Sequence, residues 1–190
     1  MPGSLDRLQG YLARLDEQAD LARLEAILTD ARVRDDLLLR DLGCYCQFCD
    51  KAYARNLVCE SRWHQLYVMC WRPGQASSVH DHRGSACAFR VLTGECTEVR
   101  FEREDAGVVR PVSSVVYETG FVCATEDDDI HMIANRSASE NLVTLHCYSP
   151  ALTTWNEYET DDAALGSFLR TAACSPVIAT RTRGAAPSTS

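Results

Sequence analysis

The stretch Gly74-Gln75-Ala76-Ser77-Ser78-Val79-His80-Asp81-His82 is the most informative part of this 190-residue chain. It is followed by Cys87 and Gly94. Because side chains of an extended strand alternate between its two faces, His80 and His82 would point to the same side. The two imidazoles therefore form part of a candidate metal site.

A second segment runs from Gly120 through His131 to Asn135, about 40 residues after the first. If it supplies a separate strand, His131 can complete one face of a metal site with His80 and His82. There is no obvious carboxylate ligand. The pattern predicts a metal held by three imidazoles, which leaves open positions for other ligands.

Composition and charge predict one globular domain. Apolar residues make up 46% of the chain and charged residues 24%, with a formal net charge of -8. That charge disfavours binding to nucleic acid or to an anionic membrane by bulk electrostatics. No apolar run is long enough to span a bilayer, and residues 1–6 do not resemble a signal peptide. We expect a cytoplasmic protein, and no feature demands more than a monomer.

Ten cysteines require an interpretation. Because nothing suggests secretion, we expect reduced and mostly structural thiols rather than a disulfide framework. The group Cys44, Cys46 and Cys49 could be half of a zinc site, but a second pair of ligands at ordinary spacing is missing. Several others fall in apolar runs, where a free cysteine acts as a small hydrophobe.

The N-terminal part of the chain has a helical pattern. Apolar residues recur at three- and four-residue spacing over 4–42, which predicts helix. Asp30 and Asp35 are candidate N-caps or first-turn acids, and Gly43 is a candidate C-terminal stop.

From about residue 52 to 160 the pattern predicts short strands separated by turns, which favours an antiparallel sandwich or barrel. A last helix is expected over 161–173, and residues 181–190 are expected to be a disordered tail. Residues 1–180 would then form a single domain. The strand-like runs are 66–71, 88–92, 96–101, 115–117 and 142–148.

The histidine segments resemble the two cupin motifs. The first is matched at every spacing by Gly74, five residues, His80-x-His82, four residues, Cys87, six residues and Gly94. The second is matched at its intervals by Gly120, His131 and Asn135. Cys87 stands where the general motif has a glutamate ligand, and Glu126 and Asp128 replace a proline and a glycine. Both motifs in order imply a mainly β fold, a cupin (jelly-roll) β-barrel with N-terminal α-helices.

Within the cupins, residues 53–150 resemble the cysteine dioxygenases of the thiol dioxygenase family. In that family three histidines hold a mononuclear ferrous iron, and they correspond here to His80, His82 and His131. The resemblance also implies a thioether crosslink between Cys87 and Tyr148. Tyr148 lies in Thr144-Leu145-His146-Cys147-Tyr148-Ser149-Pro150, which is similar to the family's Ser-x-His-x-Tyr-Ser-Pro.

The family's Tyr-x-Arg-Asn-Leu-Val segment, whose arginine binds the substrate carboxylate, corresponds to Tyr53-Ala54-Arg55-Asn56-Leu57-Val58. Arg55 offers a planar, bidentate match to a carboxylate. His146 and Tyr148 would face the same side of one strand and can hold or pass a proton, with Thr144 extending the row. Tyr53 either contributes its hydroxyl to the pocket or packs.

Several of these residues also have purely structural interpretations. Cys87 could be a core filler, Tyr148 a packed barrel residue and Arg55 a solvated charge. His64 is expected to be an ordinary surface or core residue, and Arg83 an exposed one. The acidic run 126–129 is expected to be a turn before the strand that carries His131, rather than a calcium loop.

The predicted function is a non-haem Fe(II) thiol dioxygenase that converts L-cysteine and O2 to cysteine sulfinate, a step of cysteine catabolism. Relatives that oxidise 3-mercaptopropionate commonly carry glutamine at the position of Arg55, and cysteamine has no carboxylate to hold, so Arg55 favours cysteine. Another small thiol and a non-catalytic metal-binding cupin module stay open as alternatives. An isomerase or epimerase is disfavoured by the missing carboxylate ligand.

Overall fold

The computed structural model describes residues 3–30, 33, 35–104, 107–125, 129–174 and 177–179. The expectation of a disordered tail over 181–190 lies outside the described residues. The same is true of most of the acidic run, residues 126–128, so the turn expected there also stays a prediction.

Helix is present where the N-terminal pattern predicted it, but it is interrupted. α1 is Ser4–Leu12, α2 is Leu21–Thr29 and α3 is Asp35–Asp41, followed by a 3-10 turn at Gly43–Tyr45. α4, Asp162–Cys174, matches the expected last helix. Within the described part of the chain, no helix combines the length and the apolar character that a membrane span requires.

The interruptions follow from local capping. The N-cap of α2 is Asp20, whose carboxylate accepts a hydrogen bond of 2.8 Å from the backbone N–H of Arg23. An aspartate there satisfies one of the free N–H groups of a helix start. The expectation that Asp30 is an N-cap is wrong, because Asp30 ends α2 as its C-cap. Asp35 begins α3, as expected of a first-turn acid, and Gly43 opens the 3-10 turn just after α3 ends.

The described residues form eleven strands, and the prediction of an antiparallel sandwich or barrel is confirmed. The first sheet has the order β1-β2-β9-β4-β7 and the second β10-β3-β8-β5-β6-β11. All pairings between these strands are antiparallel except that of β11 with β6, which is parallel. The strands are β1 Ala54–Glu60, β2 Gln65–Trp71, β3 Val79–His80, β4 Ala86–Thr93, β5 Cys96–Arg103, β6 Val109–Tyr117, β7 Val122–Thr125, β8 Ile130–Ala134, β9 Leu142–Ser149, β10 Glu157–Tyr158 and β11 Val177–Ala179.

Strand β9 is buried along its whole length because it is covered on both faces. On one face, Leu145 and Cys147 pack with the leucines of the N-terminal helices. On the other, Leu142 and Tyr148 pack in a cluster that draws side chains from both sheets. This inner cluster is where the polar site is built.

The cysteines behave as the composition suggested. All nine for which the structure describes a side chain are free thiols. Five of them are buried in the two clusters as small apolar side chains: Cys70, Cys87, Cys96, Cys123 and Cys147.

The turn between β4 and β5 generates the first prediction. Gly94 has a φ of 84°, and a Cβ built on it would lie 2.6 Å from the carbonyl oxygen of Asn141. Gly107 has the same φ of 84°, but nothing lies within 4 Å of its added Cβ. We therefore expect Gly107→Ala to lower the free energy of unfolding by about 1 kcal/mol, from the positive φ alone. Gly94→Ala should lower it by about 3 kcal/mol, because backbone overlap adds to the same strain.

Urea unfolding followed by circular dichroism measures both variants. Equal losses would contradict the steric argument and would mean that the strand after Asn141 yields to the methyl group.

Candidate metal centre and active site

Three histidines converge between the two sheets. His80 is the register partner of His131 in the pairing of β3 with β8, and His82 follows two residues after His80. The candidate ligand atoms of all three lie within 4.8 Å of one another. The Nε2 atoms of His82 and His131 are 3.3 Å apart. The structure thus brings together the three residues that the cupin spacing singled out.

The outward nitrogens of two of these rings are held by groups that only accept hydrogen bonds. Nδ1 of His80 donates to the backbone carbonyl of Ser78 at 2.9 Å, and Nδ1 of His131 donates to Oε1 of Glu98 at 2.8 Å. A carbonyl or carboxylate at Nδ1 places the proton there and leaves the lone pair of Nε2 facing the centre.

These residues fit a divalent transition metal. Converging Nε2 lone pairs repel one another unless a cation lies between them, and neutral imidazole is a common ligand of late first-row metals. Nδ1 of His82 is buried with no hydrogen-bond partner among the residues that the structure describes. Two of the three ligands therefore have the outer hydrogen bond that is usual in such sites.

The environment keeps two of the ligands neutral. Burial, and then the proximity of His131, lowers the pKa of His80 to about 4. Burial, and then His131 and His80, lowers the pKa of His82 to about 2. Because a protonated imidazole cannot bind a metal, both rings are ready to ligate at neutral pH without releasing a proton.

Glu98 is a candidate functional residue that the sequence analysis did not single out. Its side chain is fully buried on β5, where Oε2 accepts hydrogen bonds from Tyr117 Oη at 2.7 Å and from Arg100 Nε at 3.3 Å. Burial opposes ionisation of Glu98, but the hydrogen bonds from His131 and Tyr117 lower its pKa to about 2. A carboxylate of this kind orients a histidine ligand and raises its basicity. An acidic residue in the middle of a β-rich run was the available signal, since acidic side chains are rarely buried without partners.

Thr144, His146 and Tyr148 lie in a row on the inner face of β9. The indole of Trp71 donates to Thr144 Oγ1 at 3.0 Å, and Thr144 Oγ1 lies 2.9 Å from His146 Nε2. The His146 ring stacks on Phe89 with centroids 5.1 Å apart. Burial lowers the pKa of His146 well below its ordinary value, so the ring is neutral and can accept or donate one hydrogen bond.

Cys87 and Tyr148 face each other across the pairing of β4 with β9. Burial raises the pKa of both groups well above the ordinary values. Both groups are therefore protonated at neutral pH. Directly opposite residues of an antiparallel pair have Cβ atoms about 4.5–5.5 Å apart, which allows side-chain contact.

Arg55, on β1, contributes the cation of the site. Its guanidinium carbon lies 4.9 Å from the ring centroid of Tyr67, 5.9 Å from that of Tyr148 and 5.5 Å from that of Trp155. Tyr53, just before β1, stacks on Trp71 with centroids 4.1 Å apart. The Tyr53 ring therefore packs against the pocket wall.

One pocket of about 280 Å³ connects these groups. Its lining joins the three histidines, the arginine and the tyrosine of β9, which is the set that the sequence analysis proposed as one site. The lining residues are Tyr53, Arg55, Met69, Trp71, Ser77, His80, His82, His131, Ile133, His146 and Tyr148.

Two other residues considered in the sequence lie elsewhere. His64 is buried, and its Nδ1 is 2.8 Å from the hydroxyl of Ser61, so it is a structural histidine outside the pocket lining. Arg83 is exposed, as expected, and has a φ of 40° in the turn after His82.

Comparison with solved structures identifies the fold. The chain is similar to a Klebsiella pneumoniae protein with a double-stranded β-helix domain, with a TM-score of 0.50 and 18% sequence identity over 62% of this chain and 88% of that chain. The architecture is therefore that of a cupin, as the two motifs predicted.

The family follows from the sequence match. The family model for cysteine dioxygenase type I matches residues 34–161, and this chain belongs to that family. It is 30% identical to cysteine dioxygenase type 1 of Homo sapiens over 119 residues, which cover 60% of each chain. It is 33% identical to that of Danio rerio over 111 residues, or 56% of this chain and 55% of that one. The match thus spans less than two thirds of these relatives.

The outer hydrogen bond of His131 can be tested by metal binding. We expect Glu98→Gln to weaken divalent metal affinity by about 10- to 100-fold, because the negative charge that polarises His131 is lost. Competition with a chelator, under anaerobic conditions for ferrous iron, measures the change. Glu102→Gln on the same strand is the control, because Glu102 is exposed and forms an ion pair with Arg110. Equal affinity for both variants would contradict a role for Glu98 at the metal.

Proposed function

We propose that this protein is a non-haem Fe(II) thiol dioxygenase that converts L-cysteine and O2 to cysteine sulfinate. The observation that carries the proposal is one small pocket lined by three converging imidazoles and by the Arg55 guanidinium. Membership of the cysteine dioxygenase type I family supports the same reaction. The balanced reaction adds both oxygen atoms to sulfur, so that R–SH and O2 give R–SO2⁻ and one proton.

His80, His82 and His131 would hold the iron. Three nitrogen ligands suit iron as well as zinc or copper, but zinc has no redox chemistry. When bound, ferrous iron supplies the redox chemistry that joins dioxygen to a thiolate sulfur. The absence of a carboxylate from this ligand set leaves more positive charge to attract an anionic substrate.

Arg55 would hold the far end of the substrate. A guanidinium matches a carboxylate with two parallel hydrogen bonds, and such charge-assisted pairs are about twice as strong as neutral ones. In the described part of the chain, no carboxylate forms an ion pair with Arg55. Its donors are therefore available to the substrate.

Hydrogen bonds beside the reacting sulfur would come from Tyr148, His146 and Thr144. The Tyr148 hydroxyl is protonated because burial raises its pKa, so it can donate to an oxygen atom in the pocket. Neutral His146 also lines the pocket, and its Nε2 lies 2.9 Å from Thr144 Oγ1. Because all three side chains are uncharged, this face of β9 offers hydrogen bonds to the pocket without adding a charge.

Substitution of Arg55 tests the assigned substrate. We expect Arg55→Gln to raise the KM for L-cysteine about 10- to 100-fold, because a bidentate charged contact is lost. The rate with cysteamine, which lacks a carboxylate, should change little. Oxygen uptake by ferrous-loaded protein, with product masses, measures both. Arg62→Gln is the control, since Arg62 is exposed and stacks on Trp63.

Wild-type protein gives the decisive result. L-Cysteine that gains two oxygen atoms, with weaker turnover of 3-mercaptopropionate and cysteamine, is the expected outcome. Preference for 3-mercaptopropionate would replace the substrate and keep the chemistry. No turnover of any of the three thiols would contradict the dioxygenase and favour a metal-binding module.

We also propose that Cys87 and Tyr148 become linked by a thioether during oxidative turnover. The S–H bond of Cys87 and one ring C–H bond of Tyr148 break, and a C–S bond forms next to the hydroxyl. O2 takes up the two electrons and two protons to give hydrogen peroxide. The register pairing of the two residues and the burial of both side chains support this step. Mass spectrometry of digested, turned-over protein should find a linked peptide pair lighter by two hydrogen atoms. Tyr148→Phe should lose it, and Cys49→Ser, an exposed cysteine, should keep it.

The proposal extends to the domain organisation, the oligomeric state and the cellular compartment of the enzyme. We propose a single domain over residues 1–180 that acts as a cytoplasmic monomer in cysteine catabolism. The free thiols of the nine described cysteines support a reducing compartment.

A further inference from the structure

Trp155 is a large aromatic side chain that is 43% exposed, directly beside the cation of the site. Its ring centroid lies 5.5 Å from the guanidinium carbon of Arg55. Arg55 belongs to the pocket lining, whereas Trp155 contacts the guanidinium from outside that lining. The guanidinium therefore contacts the indole as well as the pocket.

The indole is held by the strand that follows it. Trp155 Nε1 donates to Oε1 of Glu157 at 3.1 Å, and the same carboxylate oxygen accepts from the hydroxyl of Ser78 at 3.1 Å. Glu157 is the register partner of His80 in the pairing of β10 with β3. The orientation of Trp155 is therefore tied to the strand that carries a candidate metal ligand.

Asp81 anchors the same segment from the other side. Its carboxylate accepts hydrogen bonds from the backbone N–H of Asn156 at 3.0 Å, from Asn156 Nδ2 at 2.8 Å and from Tyr158 Oη at 2.6 Å. Asp81 lies between His80 and His82 in the chain. Three hydrogen bonds next to Trp155 make its position well defined despite its exposure.

The guanidinium of Arg55 needs such a neighbour. In the part of the chain that the structure describes, no carboxylate pairs with it, so its contacts are the faces of three aromatic rings. Tyr148 lines the pocket and Tyr67 lies on the adjacent strand β2, and both belong to the barrel. A long arginine side chain can adopt many rotamers. A cation–π contact restricts them and leaves all of its hydrogen-bond donors free for another partner.

We infer that Trp155 is a positioning residue that holds the Arg55 guanidinium toward the pocket, and so sets the preference for thiols that carry a carboxylate. The inference rests on the proposed function, because it takes the substrate carboxylate as the partner of Arg55. Trp155 is not among the residues that line the pocket, so it acts through Arg55.

The first test is a KM and kcat comparison. We expect Trp155→Ala to raise the KM for L-cysteine about 3- to 30-fold with little change in kcat, and to leave cysteamine turnover unchanged. Trp155→Phe should recover part of the loss because it keeps an aromatic face. Leu57→Ala is the matched control: Leu57 is 41% exposed on the strand of Arg55 and lies outside the pocket lining.

The second test asks whether the effect passes through Arg55. In an Arg55→Gln background, adding Trp155→Ala should cause no further rise in KM, since the group that Trp155 positions is gone. Independent, multiplied effects of the two substitutions would overturn the inference. An equal loss of activity toward cysteamine would overturn it as well, because it would indicate general damage to the fold.

A binding measurement separates this inference from the proposed function. Calorimetric titration of L-cysteine into anaerobic, ferrous-loaded protein needs no turnover. If wild-type protein turns over L-cysteine but Trp155→Ala binds it equally well, the inference fails and the dioxygenase stands. If no thiol is turned over, yet L-cysteine binds and the affinity depends on both Trp155 and Arg55, the inference stands and the proposed reaction fails.

Discussion

The position of β9 between β2 and β4 is the constraint on which the site depends. Its side chains alternate with a period of two, and each face is buried against a different layer. Leu145 and Cys147 are covered by the N-terminal helices, which leaves His146 and Tyr148 to face the inside. A shift of the register by one residue would place the polar row under the helices and the apolar residues in the pocket. The apolar packing against the helices therefore determines which side chains of β9 face the pocket, as strictly as the polar contacts do.

Burial keeps His80 and His82 neutral, and two opposite charges flank the pocket. Glu98 supplies a buried negative charge behind His131, and Arg55 supplies a positive charge at the pocket wall. The ring of His131 would lie between Glu98 and a cation bound by the three histidines. The carboxylate would therefore offset part of the charge of the cation without occupying a coordination position. The guanidinium in turn suits an anionic substrate group at a distance from that cation. In the proposed function, the sulfur and the carboxylate of a small thiol amino acid would occupy these two ends of the pocket.

The segment after β9 connects the two sheets at the site. From Ser149 the chain leaves the first sheet, and at Glu157 it joins the second by pairing with β3. Asp81, between two of the histidines, accepts the hydrogen bonds that fasten this segment. The strand that presents His80 and the segment that contacts Arg55 thus support each other. The geometry of the candidate metal site and that of the proposed carboxylate site are therefore linked.

The sequence by itself determined the cupin class, the strand-rich region, the helical character of the N-terminal part and the grouping of His80, His82 and His131. Each of these rests on spacing, and spacing along a strand or helix determines which face a side chain occupies. It did not determine where the first helices break, because the break at Asp20 depends on one hydrogen bond to a neighbouring N–H. Nor did it reveal Glu98 or Trp155. Their partners, His131 and Arg55, are distant in the chain, and only the pairing of β5 with β8 and the return of the chain to β3 bring them into contact. Periodicity in the sequence indicates on which face of its strand or helix a residue lies. Only the tertiary structure decides which residues of other elements pack against that face.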